Sequence, residues 1–207
     1  MLWAARQLLV PLNYLRIKHG RGIFHSKMTY DFVLPIIFSA LTWWAFWFLD
    51  IPLRIFSNPD MTTRITDLLQ LMIVFYMAAL AAVATFERRG IDKPLKGGDA
   101  ILHIRHHDGG GKRPKILSHR EFICYLFGYL SFLSLVLFMF LTIFDVVWPK
   151  FEEHFAAQAA VHHFLIHMVD PIALFVFFVA VWQLICTSLL GIYFLTDRLQ
   201  VLSDPDA

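Results

Sequence analysis

Charge is scarce in this chain, and its placement matters more than its amount. Asp, Glu, Lys and Arg make up 16% of the 207 residues, against about 25% in ordinary soluble domains. Cysteine is scarcer: only Cys124 and Cys186, both inside apolar runs. That excludes a disulfide framework and a thiolate zinc site; the reading is two buried thiols. The H-E-x-x-H pattern is missing. Gly109-Gly110-Gly111-Lys112 lacks the G-x-x-x-x-G-K-[ST] spacing of a phosphate loop and a helix to follow it. With no catalytic triad, carboxylate pair or nucleotide motif, the expectation is a protein that is not an enzyme and carries no cofactor. A cleaved signal peptide is not expected either, because Arg6 interrupts the apolar start and no small-residue cleavage pattern follows. Lipidation motifs are lacking at both ends.

What the chain does have is oil. Its hydrophobic fraction is 58%, with 21 Phe, and its mean hydropathy is +0.60. Four uncharged runs, at about 32–49, 68–86, 122–144 and 172–195, are each long enough to cross a bilayer. The chain therefore reads as an all-α integral membrane protein with four transmembrane helices. Residues 1–29 form a basic, partly apolar segment, with Leu8, Leu12 and Leu15 on one helical face and Pro11 as a kink or break; it is expected to lie along the membrane surface. Residues 30–207 are the transmembrane domain. Pro35 sits near the start of the first span and Trp43, Trp44 and Trp47 near its end, at head-group depth. A loop is expected from Asp50 to Asp67. Ala78 with Ala82, and Ala81 with Thr85, give the second span small residues at four-residue spacing, which let helices approach closely. Ser118-His119-Arg120-Glu121 has the form of a capping box at the head of the third helix, and Asp145, Trp148 and Pro149 are expected to close that span. Asp170-Pro171 reads as an N-cap followed by proline at the first helical position.

Lys and Arg fall almost wholly on one side. The N-terminal segment holds five, the central loop 87–121 nine and the tail one (Arg198), fifteen together; Arg54, Arg64 and Lys150 are the three opposite. The positive-inside rule then puts both termini and the central loop in the cytoplasm. Within the loop, Asp99 to Arg105 alternates apolar and polar residues, and the glycines after His107-Asp108 turn the chain back toward Lys115-Ile116-Leu117. This predicts a small cytoplasmic β-hairpin between helices 2 and 3.

Candidate sites follow from these placements. Arg88, Arg89, Lys93, Lys96, Arg105, Lys112, Arg113 and Lys115 form a basic surface. It suits anionic lipid head groups, an acidic cytosolic protein partner, or both; direct nucleic-acid binding is not expected. The spans hold almost no ionisable group: Asp31, Asp67, Asp145 and Asp170 are at helix ends, where carboxylates reach head groups or water. That argues against a proton relay or ion-coupled transporter. Ala180, Gln183, Thr187 and Gly191 share one stripe of the fourth span, either a packing face or a pore lining. His154, His162, His163 and His167 crowd the outer loop, and His163 and His167 are one turn apart, a spacing that can hold a metal. No recognised ligand pattern surrounds them, and a metal is not expected.

In its layout of basic N-terminus, four spans, internal termini and central hairpin, the chain looks like the membrane subunit of the Kiwa anti-phage defence system. The likeness spans the whole chain as arrangement, with no residue motif. It implies a homo-oligomeric inner-membrane sensor or scaffold that detects viral disturbance of the envelope and signals to a soluble partner at the cytoplasmic face. The alternative function is an ion channel or membrane-disrupting effector pore.

Overall fold

A computed structural model describes residues 7–17, 27–51, 59–85, 100–105, 112–155, 163–164 and 168–198, with the backbone alone at 59–60, 103–105, 112–113, 151–152, 155 and 197–198. In chain order the elements are a 3-10 helix Val10–Arg16, a π turn Thr29–Val33 running into α1 (Leu34–Phe48), α2 (Pro59–Thr85), strands β1 (Ile101–Arg105) and β2 (Lys112–Ile116), α3 (His119–Phe155), and α4 (Asp170–Tyr193) running into a second π turn, Phe194–Arg198. Four of these helical stretches are long and apolar enough to cross a membrane: Thr29–Phe48, Met61–Thr85, His119–Lys150 and Asp170–Thr196. The chain is a multi-pass, predominantly helical membrane protein.

The helix termini follow local chemistry. Ser118 and Glu121 make the reciprocal capping box: Glu121 N–H donates to Ser118 Oγ at 3.2 Å, and Ser118 N–H to Glu121 Oε2 at 3.2 Å. Two of the orphan donors at the head of α3 are thereby satisfied. At the other end of the first span, Ile51 N–H reaches Phe46 O at 2.9 Å and Asp50 N–H reaches Trp47 O at 3.3 Å. This is a Schellman closure, with Asp50 at φ 52° in the left-handed position usually taken by glycine.

Several boundaries differ from the sequence expectation. The stretch from Asp50 to Asp67 is not all loop, because α2 begins at Pro59. Proline lacks the N–H that a first helical turn leaves unpaired anyway, and Thr66 returns its hydroxyl to Thr62 O at 2.8 Å, so the threonines do not stop the helix. Nor do Asp145, Trp148 and Pro149 close the third span. Pro149 lies inside α3, which continues to Phe155. Asp170 is in the first turn of α4 rather than at its cap, which is Val169. The N-terminal segment carries a 3-10 helix packed on α3: Tyr14 and Ile17 are buried, and Leu12 and Leu15 pack against the core.

Packing pairs α2 with α3, α1 with α4, and α3 with α4. Aromatic contacts set the direction of each pair. Phe38 meets Trp182, and Trp43 meets Phe175 edge-on with ring centroids 5.8 Å apart, so α1 and α4 run antiparallel. Trp182 Nε1 donates to Thr42 Oγ1 at 2.9 Å within that interface. Tyr76 meets Phe127, which brings the C-terminal half of α2 to the start of α3. Phe122 meets Phe194 at 4.9 Å, so the end of α4 lies there too. One end of the bundle thus gathers the 3-10 helix, the hairpin, the heads of α1 and α3 and the tail of α4. Trp43, Trp44, Trp47 and Trp148 fall at the other end.

The hairpin pairs Ile101 with Ile116, Leu102 with Lys115, His103 with Pro114, Ile104 with Arg113 and Arg105 with Lys112, antiparallel. Leu117 N–H extends it to Ala100 O at 2.9 Å. A strand proline is tolerated because a two-stranded sheet has only edges. Buried Ala100, Leu102 and Leu117 bind it to the core.

Candidate functional site

The first span begins with an interrupted helix. Pro35 has no N–H to give to the carbonyl four residues back and its ring crowds that carbonyl; the turn just before it is the π turn Thr29–Val33. Ser39 donates to Pro35 O at 2.6 Å. The widened turn carries Asp31, which points inward and is only 1% exposed.

Asp31 is the centre of a polar cluster made by three distant stretches. Lys27, one helical turn earlier, brings Nζ to 2.9 Å from Asp31 Oδ2 in an ion pair. Tyr14 donates its hydroxyl to Asp31 Oδ1 at 3.2 Å. Thr187, from α4, donates to the same oxygen at 3.3 Å. Lys27 Nζ also donates to Tyr14 O at 2.6 Å and lies 3.7 Å from the centroid of the Tyr14 ring, a cation–π contact. Lys27 itself is 7% exposed. One carboxylate and one ammonium therefore tie the N-terminal segment to the first and fourth spans.

The surroundings are apolar. Tyr14 stacks on Tyr129 of α3 and meets Phe122. Burial, and then the Asp31 charge, hold the Tyr14 phenol well above its usual value, so it remains a donor. Burial pulls the Lys27 ammonium below its usual value, and Asp31 opposes that shift. A buried pair of this kind adds little net stability, because desolvation cancels much of the attraction. Breaking it from one side leaves a bare charge and costs about 3–5 kcal/mol.

The expectation that Asp31 reaches head groups or water is therefore corrected. Its spacing to Lys27 was visible, since residues four apart share a helix face. Its other partners were not: Tyr14 is 17 positions away and Thr187 is 156.

The stripe on α4 is divided among contacts. Thr187 is spent on Asp31. Gly191 faces α3 so closely that an added Cβ would lie 2.9 Å from Leu126 Cδ2 and 3.3 Å from Phe127 Cζ. Ala180 is half-buried against the core, and Gln183 is half-buried. A turn along, Ser188 Oγ and the Tyr76 hydroxyl share a short hydrogen bond between α4 and α2.

Of the basic residues, Arg88, Arg89, Lys93 and Lys96 lie outside the described residues. Arg105, Lys112 and Arg113 are described by backbone alone, on the hairpin. Lys115 is half-exposed and ion-paired with Glu121, which raises its pKa. His162 and His167 also lie outside the described residues, while His154 and His163 are exposed. Among the described residues no group of three or more His, Cys, Asp or Glu could hold a metal.

Compared with protein families, with curated proteins and with solved structures, the chain matches none.

Proposed function

We propose that the chain is a non-enzymatic sensor and scaffold subunit in the bacterial inner membrane, working as a homo-oligomer within an antiviral defence complex. Both termini and the hairpin face the cytoplasm, and the basic loop recruits a cytosolic protein partner. The observation that carries this reading is the gathering, at one end of the described bundle, of the 3-10 helix, the hairpin, the heads of α1 and α3 and the tail of α4, with Lys27, Arg105, Lys112, Arg113, Lys115 and Arg120 on them. Such a surface is a docking platform beside anionic lipid. The defence setting rests on the resemblance of layout to the Kiwa membrane subunit.

Uneven helix lengths support sensing. The four candidate spans are 20, 25, 32 and 27 residues long, or about 30, 37, 48 and 40 Å at about 1.5 Å per residue. A hydrocarbon core of about 30 Å cannot match all of them at once, so tilt and packing respond to bilayer thickness. The pore reading has less support, because Thr187 and Gly191 are occupied by other helices.

The test is capture of cytosolic proteins from the native host by the membrane-inserted chain. Reversing Arg88, Arg89, Lys112 and Arg113 to Glu, with insertion verified, abolishes partner recovery. Unchanged recovery sinks docking at this loop, and an epitope in the hairpin that is reachable from the periplasm sinks the orientation.

A further inference from the structure

We propose that the Lys27–Asp31 pair is the latch of a two-state switch: water entering the hairpin end of the bundle weakens the pair and releases the N-terminal 3-10 helix from α3. The proposal deepens the sensor reading above, and rests on it, by naming the element that moves.

Three observations carry it. First, the segment is held through charge as well as through apolar packing. The Tyr14 carbonyl, ring and hydroxyl all engage Lys27 or Asp31, and Lys27 Nζ lies 2.9 Å from Asp31 Oδ2 in an ion pair. Ionic attraction falls steeply as the effective dielectric rises, so this part of the anchor weakens as water enters. Second, Asp31 sits in the π turn Thr29–Val33 ahead of Pro35, a local irregularity of a kind frequent at functional sites. Third, the released state has somewhere to go. Leu8, Leu9 and Val10, at the start of the 3-10 helix, are 71%, 50% and 44% exposed, an apolar patch suited to lying on the membrane surface. Docked and surface-bound states are then two arrangements of one segment, and a thinned or disturbed bilayer shifts the population between them.

The experiment uses the full chain in lipid nanodiscs, with Cys124→Ala and Cys186→Ala as background and a single reporter, Ile17→Cys, at the buried end of the 3-10 helix. The readout is the rate of labelling by a membrane-impermeant maleimide in discs of long-chain and of short-chain phosphatidylcholine. In long-chain discs the parent labels slowly. Asp31→Asn speeds labelling at least about ten-fold, equivalent to about 1.4 kcal/mol in the docking equilibrium. Tyr14→Phe, which keeps the ring and loses only the hydroxyl, falls between the two. Short-chain discs speed the parent but add nothing to Asp31→Asn. A second reporter, Ser134→Cys in the core of α3, stays unreactive throughout. The latch is overturned if Asp31→Asn labels no faster than the parent, if disc thickness leaves the parent unchanged, or if Ser134→Cys becomes reactive in step with Ile17→Cys. No partner protein is present, so failure here is distinct from failure of the capture experiment.

Discussion

Tyr14 and Tyr129 stack with ring centroids 5.1 Å apart and planes 23° from parallel. That contact seats the N-terminal segment on α3 and closes the apolar side of the Lys27–Asp31 pair. Its consequences can be measured separately from those of the helix bundle.

Removing one charge is expected to cost more than removing both. Asp31→Asn or Lys27→Met alone should destabilise the protein by about 3–5 kcal/mol, because each leaves the other charge buried and unpaired. The double substitution should cost clearly less than the two singles added together. Denaturation in mild detergent reads the difference, and strict additivity would show that the two side chains act independently.

Alkali should loosen the N-terminal segment. A free tyrosine ionises near pH 10, while Tyr14 in the folded protein keeps its proton beyond that. Above about pH 10 the folded state then binds more protons than the released one, so docking weakens as pH rises. Lys27 acts oppositely. Its lowered folded value makes docking strengthen with pH until a free lysine also deprotonates, near about 10.4. Above that the tyrosine effect stands alone. Tyr14→Phe should remove the alkaline loss, read as Ile17→Cys labelling against pH.

The two glycines of the packed helices should behave in opposite ways. Gly191→Leu should push α4 off Leu126 and Phe127, with a loss of about 1–3 kcal/mol from overpacking. Gly128→Ala meets nothing within 4 Å and should be neutral or gain up to about 1 kcal/mol in helix propensity. Thermal melting of the two variants side by side decides it. Equal losses would mean that α3 and α4 do not meet at Gly191.

A double-mutant cycle on Tyr76→Phe and Ser188→Ala should report a coupling of about 0.6 kcal/mol, and under about 2, as for hydroxyl pairs between membrane helices. Zero coupling would separate α2 from α4 at this depth.

Removing the N-cap hydroxyl by Ser118→Ala should cost about 1 kcal/mol and fray the first turn of α3, visible as faster amide exchange at Glu121. The fourth span should be unaffected.

The local elements were legible because their causes are local. Uninterrupted apolar runs gave the four spans, Ser118 and Glu121 the capping box, and the alternation before Arg105 with the glycines after it gave the hairpin. Prolines misled. Pro59 starts a helix, where its missing N–H costs nothing, and Pro149 sits inside one. The basic candidates were readable as a cluster of cations, while the Lys115–Glu121 pairing needed the turn from β2 into α3.

By itself the amino-acid sequence determined the number of membrane-length helices and the lopsided distribution of Lys and Arg, since hydropathy and charge are summed along the chain. The tertiary structure alone decided that Asp31 turns inward, that Tyr14 covers Lys27, and that Thr187 completes the cluster. Those facts depend on which surfaces meet after folding, where a polar atom cut off from water takes whatever partner the packing brings within reach.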